Sequence, residues 1–313
     1  MERRRLGRTE LEVSSLCLGT SALGSFPEQY GYEIDEDTAV RTVERVFDSA
    51  CTFLDTSNEY GHGEAERRVG LAAAGRGGYP DGFVVATKVD PLPGSADFSA
   101  ARVRRSVQES RERLGLDVLP LVYLHDPEKI SFEEATSAGG PVEALVELRE
   151  EGLIRHLGVA AGPIDLELAF LKTGHFDVVL SHNRFTLIDQ SAERLMDEAV
   201  ATGVAFVNAA PFGGGMLARG PAQVPTYCYR PVDRDTLARA HAIERVCSEH
   251  GVPLAAAALQ FSTRDPRVTS TVVGMSRPAR VDEVLGLLET VVPDELWDAL
   301  RPLVEPGAVG VLA

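Results

Sequence analysis

The chain has 313 residues, of which 44% are hydrophobic and 25% charged, and its formal net charge is −16. This composition is typical of a soluble globular protein, and the negative charge disfavours nucleic acid or an anionic membrane as a partner. The start of the chain lacks the apolar run of a secretory signal, and no apolar window is long enough to predict a membrane span. Four widely spaced cysteines without a CxxC pair fit free thiols in a reducing compartment, so we expect a cytoplasmic protein.

Short apolar runs alternate with longer amphipathic segments along the whole sequence. The apolar runs are dense in Val, Leu and Phe, which is typical of strands covered on both faces. The predicted strands are 14–18, 52–55, 82–88, 120–125, 155–160, 177–183, 203–209 and 269–274. The predicted helices are 35–50, 64–74, 99–114, 141–151, 165–172, 192–201, 233–250 and 278–289, followed by a last helix that contains Trp297.

This alternation predicts an α/β fold in which eight strand–helix units close into a (β/α)8 TIM barrel, one domain over residues 1–313. Two doubly wound domains are the alternative, but no linker marks a boundary between them. Residues 3–13 are predicted to form an N-terminal hairpin around Gly7 that caps the bottom of the barrel. Residues 126–140 and 210–232 are predicted as long loops at the C-terminal face, where loops of this length commonly cover or bind ligands.

Polar side chains stand at the ends of three consecutive predicted strands. Asp55 ends the second strand, Lys88 the third and His125 the fourth. Tyr60 follows in the loop after Asp55. Because barrel enzymes carry their active sites at the C-terminal ends of the strands, we expect these four side chains to converge at the barrel mouth. Each of them alone is more typical of a turn, loop-packing or core residue, so only the combination indicates catalysis.

The four residue types suit proton transfer to or from a carbonyl or alcohol oxygen. An unperturbed tyrosine has a pKa of about 10, and a neighbouring ammonium lowers this pKa by favouring the phenolate. A pKa of about 7 needs roughly 4 kcal/mol of differential stabilisation. We expect Lys88 to supply it, Asp55 to keep Lys88 charged and His125 to position the substrate oxygen. Tyr60 then acts as the acid/base, while a separate group transfers the hydride.

These stretches, in this order, resemble the aldo-keto reductase family. The resemblance covers nearly the whole chain and rests on LGRTELEVSSLCLGT, FLDTSNEYGHGEAERRVG, VVATKV, YLHDPE and VVGMSRPARVDEV. It implies a (β/α)8 barrel and a nicotinamide cofactor that is bound without a Rossmann fold. It also implies the catalytic tetrad Asp55, Tyr60, Lys88 and His125.

The resemblance implies NADP(H) or NAD(H) as cofactor, without deciding between them. Ala160 and Ala161 stand where the family commonly has Ser-Asn at the carboxamide, and His182 or Asn183 stands near the usual Gln. Backbone amides after Gly274 are expected to bind the cofactor phosphates. The residues implied to bind the cofactor are Gly19, Thr20, Asp55, Asn183, Ala210, Pro211, Phe212, Gly214, Leu217, Gly274, Ser276, Arg280 and Glu283. Arg277 and Arg280 are candidates for a 2′-phosphate, the alternative being a solvated helix start.

Two further stretches, LSHNRFTLIDQSA and NAAPFGGGML, resemble the branch of the family that contains D-threo-aldose and L-fucose 1-dehydrogenases, with pyridoxal dehydrogenases close by. This implies a small-molecule sugar or carbonyl substrate, and oxidation of an aldose at C1 to a lactone. The expected substrate contacts are Tyr60, His125, Asn58 and Phe212. Further loop residues considered for the sugar are His62, Tyr30, Tyr227 and Tyr229, although loop aromatics are more commonly packing residues.

Three other functions stay open at this point. One is a general aldehyde, carbonyl or pyridoxal reductase, and another is a cofactor-binding regulatory subunit. A metal enzyme is the third, but the histidines show no HxH or HExxH spacing, so no metal site is predicted. The sequence leaves a homo-oligomer open.

Overall fold

The computed structural model describes residues 1–27 and 31–304, and it begins with the predicted hairpin. Strands β1 (Arg3–Arg5) and β2 (Glu12–Ser14) pair in antiparallel register. Leu6 and Val13 of the hairpin are fully buried, and they pack in one cluster with barrel-strand residues such as Phe53 and Val84. Gly7 permits this approach, because its φ is 58° and a Cβ there would lie 2.6 Å from the backbone nitrogen of Ala205. The hairpin therefore caps the bottom of the barrel, as predicted.

Eight parallel strands form a closed barrel, which confirms the predicted (β/α)8 architecture over two doubly wound domains. The last strand pairs with both the first and the seventh, and this closes the sheet. The barrel strands are β3 (Leu16–Gly19), β4 (Phe53–Asp55), β5 (Val84–Val89), β6 (Leu119–His125), β7 (Ile154–Ala161), β8 (Val178–His182), β9 (Ala205–Ala209) and β12 (Val268–Gly274). Between β9 and β12, β10 (Thr226–Tyr227) and β11 (Arg230–Pro231) form a small ribbon.

The helices surround the barrel and bury its outer face. They are α1 (Glu36–Phe47), α2 (Glu64–Gly75), α3 (Ala100–Leu114), α4 (Phe132–Thr136), α5 (Pro141–Glu150), α6 (Ile164–Lys172), α7 (Glu193–Thr202), α8 (Met216–Arg219), α9 (Arg234–Glu249), α10 (Leu254–Thr263), α11 (Pro278–Glu289) and α12 (Asp294–Leu300). Capping residues define the ends of these helices. The side chains of Asp35 and Ser99 cap the N-termini of α1 and α3, and Gly115 ends α3 with φ at 67°. In the described ranges, none of the helices is long and apolar enough to cross a membrane.

Three helices have no counterpart among the predicted elements, and one of them, α8, lies inside the predicted loop 210–232. The short α4 lies inside the predicted loop 126–140, and its capping box joins Ser131 to Glu134. The helix α10 has the sequence LAAAALQFST, and its central residues are fully buried. An alanine-rich helix buried in this way shows little apolar periodicity, so the pattern that predicts the other helices is missing.

Candidate active site

Strands β4, β5 and β6 end beside one another at the mouth of the barrel. Asp55 is the last residue of β4, Lys88 the second-last of β5 and His125 the last of β6. The three residues are only 4%, 1% and 9% exposed. Polar groups buried this deeply need partners, because an unpaired buried charge is strongly destabilising. Their partners lie within the same cluster.

The ammonium group of Lys88 lies between Asp55 and Tyr60. Its Nζ donates to Asp55 Oδ1 at 2.6 Å, to the Thr56 carbonyl at 2.7 Å and to Tyr60 Oη at 3.3 Å. These three acceptors match the three N–H bonds of an ammonium group. The positive charge therefore faces the phenol oxygen of Tyr60 and stabilises a phenolate there.

Asp55 is held from two sides. Burial raises the pKa of its carboxyl, and the Lys88 ammonium opposes that shift by favouring the carboxylate. Its Oδ2 atom has no hydrogen-bond partner among the described residues. The Asp55 carbonyl accepts from both the N–H and the hydroxyl of Thr20, each at 3.0 Å. Thr20 thus fixes the end of β4, and Gly19 lies beside Asp55 in the sheet register.

Tyr60 reaches the barrel mouth because its loop packs closely on the turn after β3. Gly61 has φ at 62°, and a Cβ on it would lie 2.0 Å from the Gly24 carbonyl oxygen. Only glycine fits a contact this close with positive φ. The Tyr60 ring meets the His125 ring edge-on at 5.8 Å between centroids, and Lys88 Nζ lies 4.7 Å from the Tyr60 centroid. The loop therefore brings the tyrosine beside both the lysine and the histidine.

The His125 ring is held by Asp90, a residue that the sequence analysis did not single out. His125 Nδ1 lies 2.5 Å from Asp90 Oδ1, and Ser57 Oγ donates to Asp90 Oδ2. Burial alone would lower the pKa of His125, but the carboxylates of Asp90 and Asp126 raise it above its ordinary value. The histidine is thus part of an Asp–His pair at the same mouth.

Glu59, Asp90 and His125 place donor atoms within 4.8 Å of one another, a spacing that a metal ion could use. Both Asp90 oxygens and His125 Nδ1 already take part in hydrogen bonds that include Ser57. Glu59 Oε2 accepts from Lys129 Nζ at 3.3 Å. The donor atoms of these residues already take part in hydrogen bonds, and we describe the group as a hydrogen-bond network.

Asn58, expected to contact substrate, faces helix α3 instead. Its Nδ2 lies 3.3 Å from both the Ser106 carbonyl and Glu109 Oε2, and its Oδ1 accepts from Arg102 Nη2 at 2.9 Å. Both ends of the amide are therefore engaged inside the protein. The assignment of Asn58 to substrate binding is corrected: the residue ties the Tyr60 loop to α3.

Tyr227 is also a packing residue and not a candidate surface for substrate. It is fully buried, and its Oη lies 2.8 Å from Thr186 Oγ1 and donates to the Asn183 carbonyl at 3.0 Å. Tyr229, two residues further on, is 62% exposed at the tip of the β10–β11 ribbon. This ribbon holds the chain at Asn183, whose φ is 63°.

The other candidate substrate residues fall in different places. Phe212 is half-buried in the loop after β9 and lies under the Arg280 guanidinium at 5.8 Å. His62 is exposed, and its ring packs edge-on against Phe26. Tyr30 lies outside the described residues. Contact of Phe212 with a substrate or cofactor stays a prediction.

Comparisons with known proteins agree with this geometry. A model of the Aldo/keto reductase family matches residues 15–305. The chain belongs to the aldo/keto reductase family. An L-galactose dehydrogenase from Arabidopsis thaliana is 33% identical, with 98% of this chain and 95% of that protein covered. A D-threo-aldose 1-dehydrogenase from a Pseudomonas species is 30% identical, with coverage of 94% and 97%. A holo aldo-keto reductase structure from Bacillus halodurans gives a TM-score of 0.77 at 25% identity, with 97% of each chain covered.

Aldo-keto reductases use NAD(H) or NADP(H), and the end of β12 fits the phosphates of such a cofactor. Gly274 is exposed, and no atom of the other described residues, its two chain neighbours aside, lies within 4 Å of a Cβ built on it. Ser276 follows, and helix α11 then starts at Pro278 without a side-chain cap from Arg277. Backbone N–H groups at an uncapped helix start attract anions. This stretch is therefore suited to a pyrophosphate.

The carboxamide side of the aldo-keto reductase site differs from the common family pattern, as the sequence indicates. Ala160 and Ala161 end β7 and offer only backbone groups there. Asn183 Nδ2 contacts His182 Nδ1 at 3.1 Å. His182 approaches Gly162, since a Cβ on that glycine would lie 3.2 Å from the His182 ring. His182 thus joins Asn183 as a polar group next to this part of the mouth.

The loop after β9 carries the remaining predicted cofactor residues. Ala210 and Gly214 adopt positive φ values of 59° and 72°, and Pro211 is buried between Ala210 and Phe212. Leu217 is fully buried in the core, and its N–H donates to the Phe212 carbonyl. The assignment of Leu217 to cofactor binding is corrected, because its role here is to hold the loop.

The arginines near the start of α11 are neutralised by Glu283. Arg277 Nη2 donates to Glu283 Oε1 at 2.6 Å, and Arg280 Nη1 donates to Glu283 Oε2 at 3.1 Å. A 2′-phosphate would have to compete with this carboxylate for both guanidinium groups. These ion pairs make Glu283 a testable determinant of the choice between NADP(H) and NAD(H).

Replacing Glu283 by glutamine is expected to improve NADP⁺ binding relative to NAD⁺ by roughly fivefold, since exposed ion pairs are worth up to about 1 kcal/mol. Fluorescence titration of both cofactors measures the ratio of the two dissociation constants. Glu289→Gln, at the far end of α11, is the matched control and should leave the ratio unchanged. An unchanged ratio in Glu283→Gln would show that the arginines do not face the 2′ position.

Proposed function

We propose that this aldo-keto reductase is an NAD(P)-dependent aldose 1-dehydrogenase that oxidises a sugar of the L-fucose or D-threo-aldose type at C1 to a lactone. The observation that carries the proposal is the buried Lys88 ammonium bonded to both Asp55 and Tyr60, beside His125. The names of the relatives at 33% and 30% identity support an aldose as substrate. The sequence branch indicated by NAAPFGGGML agrees with them.

The reaction removes a proton from the C1 hydroxyl group and a hydride from the C1–H bond. Tyr60, as a phenolate stabilised by Lys88, takes the hydroxyl proton, while Asp55 keeps the lysine charged. His125 hydrogen-bonds the same oxygen and holds it beside Tyr60. A bound nicotinamide would supply the acceptor for the hydride that leaves C1. The C1–O bond becomes the carbonyl of the lactone, so that charge and atoms balance.

Chain groups on two sides of the mouth would hold the cofactor. Gly274, Ser276 and the first turn of α11 would bind the phosphates, and Arg280 lies over Phe212 at the edge of this stretch. Asn183 and His182 are the polar side chains available near the carboxamide. Phe212 would then pack against cofactor or sugar from the loop after β9.

A substrate panel tests the proposal. Purified protein is incubated with NAD⁺ or NADP⁺ and with L-fucose, D-arabinose, L-galactose, D-galactose or pyridoxal, and the absorbance of reduced nicotinamide is followed. We expect formation of reduced nicotinamide with at least one aldose and of the matching lactone by mass spectrometry. Oxidation of pyridoxal alone, or rapid reduction of aldehydes without any sugar oxidation, would contradict the aldose assignment.

A further inference from the structure

Asp90 is a buried carboxylate that the family tetrad does not include, and it lies one residue beyond the end of β5. It accepts from Ser57 Oγ, from the Glu59 N–H at 3.1 Å and from His125 Nδ1 at 2.5 Å. Ionised carboxylates only accept hydrogen bonds. With two O–H or N–H donors besides the histidine, Asp90 is built to be ionised, and His125 Nδ1 carries a proton.

The protein holds Asp90 in one position from behind. Its N–H donates to Ser106 Oγ at 3.3 Å, and its carbonyl accepts from Arg102 Nε at 2.8 Å. Arg102 is in turn fixed by Glu109, with a closest contact of 3.1 Å. Two buried residues of α3 therefore anchor the backbone of a carboxylate that points at His125.

The position of His125 beside the substrate oxygen requires a proton on its second ring nitrogen, Nε2. In alcohol oxidation the hydroxyl proton goes to Tyr60, so His125 can hydrogen-bond the same oxygen only by donating from Nε2. Nδ1 of His125 already donates its proton to the Asp90 carboxylate. Both ring nitrogens then carry hydrogen, and the ring is an imidazolium.

We propose that Asp90 is a positioning residue that orients His125 and holds it as an imidazolium, whose positive charge stabilises the alkoxide developing at C1. The inference rests on the proposed function for the alcohol, and on the Asp90–His125 geometry for the charge. No covalent step is added: the proton from C1–OH still goes to Tyr60. Asp90 remains an anion throughout and compensates the ring charge.

Other charged or titratable groups face His125 from the surrounding elements, and they partly oppose one another. They are Asp126 and Glu128 after β6, Lys88 on β5, Asp55 on β4, Tyr60 and Glu59 in the loop after β4, and His182 on β8. Lys88 and His182 disfavour a second positive charge, whereas the carboxylates favour it. Asp126 Oδ1 is 3.7 Å from His125 Nε2, beyond hydrogen-bond distance. Asp90 is the carboxylate in direct contact with His125. Burial raises the pKa of Asp90, but His125 and its other partners lower it by more, so the net shift is downward.

Asp90→Asn separates the charge from the shape, because the amide oxygen can still accept from Nδ1–H. We expect kcat/KM of the wild-type protein to fall as pH rises through the pKa of His125. In the variant this falling limb moves toward acid by about one pH unit or more. Activity lost at neutral pH should return at acidic pH, and the cofactor dissociation constant should stay unchanged. Asp177→Asn is the matched control, since Asp177 pairs with His156 at 3.4 Å away from the mouth.

The proposal would be overturned if the falling limb of kcat/KM against pH did not shift in Asp90→Asn, or if the variant were slower at all pH values. Asp90 would then have only a structural role. Nitrogen-15 NMR of histidine side chains in the wild-type protein gives an independent test that needs neither a substrate nor an Asp90 variant. His125, assigned by its absence in His125→Gln, should have both ring nitrogens protonated at neutral pH. A neutral His125 ring would overturn the inference even if an aldose is oxidised. An imidazolium found in a protein that oxidises no sugar would instead overturn only the proposed function.

Discussion

Replacing Lys88 by methionine is expected to lower the free energy of unfolding by about 3–5 kcal/mol, as breaking a buried ion pair typically does. Lys88 is 1% exposed, and its ammonium is the hydrogen-bond donor to Asp55 Oδ1. Without it, the buried Asp55 carboxylate loses both the ammonium in direct contact with it and the donor to its Oδ1 atom. Urea denaturation measures the loss, and turnover should fall below detection because the phenolate of Tyr60 loses its cation.

The loss of stability in Lys88→Met should depend on pH. Burial raises the pKa of Asp55 and Lys88 opposes that shift, so removing Lys88 should raise this pKa further in the folded protein. Stability from such a group grows as pH falls and is lost as pH rises through the folded pKa. The variant should therefore recover part of its stability in acid. The double variant with Asp55→Asn should also recover stability, but not activity.

Lys172→Met is the matched control for this experiment. Lys172 is exposed at the end of α6, so the same change of side chain should alter the free energy of unfolding by less than about 0.5 kcal/mol. Equal stability of Lys88→Met and the wild-type protein at neutral pH would show that the buried ion pair is not formed as described.

Replacing Tyr60 by phenylalanine is expected to lower kcat by about a hundredfold or more, the usual cost of losing an acid–base group. The ring remains, so its edge-on contact with His125 and the packing of the Gly24–Gly61 turn are kept. Only the Oη atom, 3.3 Å from Lys88 Nζ, is removed. Steady-state assays with the best aldose measure kcat, and fluorescence titration should show an unchanged cofactor dissociation constant.

Tyr79→Phe gives the control for loss of a phenol hydroxyl. Tyr79 Oη donates to the Leu114 carbonyl at 2.8 Å, in the connection between α2 and β5. We expect this variant to lose about 1 kcal/mol of stability and to turn over at the wild-type rate. Normal turnover by Tyr60→Phe would mean that another group performs the proton transfer.

The architecture could be predicted because barrel strands have a simple sequence pattern. Strands buried on both faces appear as short continuous apolar runs, and the eight predicted runs match the eight barrel strands within a few residues. The same pattern locates Asp55, Lys88 and His125, since a polar residue at the end of an apolar run falls at the barrel mouth. Placing Tyr60 needed only its short distance from Asp55.

The network behind His125 could not be predicted in the same way. Asp90 also follows an apolar run, and this position was an available indication. Its role, however, depends on meeting His125, 35 residues later, and Ser57 on the preceding loop. Only the side-by-side pairing of β4, β5 and β6 brings these groups together. Sequence spacing carries no information about which side chain turns toward which.

The predicted ligand contacts of three residues were wrong because sequence does not show the direction of a side chain. Asn58 is next to the catalytic loop in sequence, but its side chain turns outward to Arg102 on α3. Tyr227 and Leu217 lie in a loop of the kind that binds ligands, yet both are fully buried. Composition identifies such a loop, whereas the direction of each side chain is decided by tertiary packing.

Single-turnover oxidation is the most direct test of the central claim that Tyr60 and Lys88 carry proton transfer at C1. With enzyme in excess over the aldose, the first formation of reduced nicotinamide reports on the chemical step without product release. We predict that this rate falls about a hundredfold or more in Tyr60→Phe and is unchanged in Tyr79→Phe. Equal single-turnover rates in the wild-type protein and in Tyr60→Phe would contradict the account.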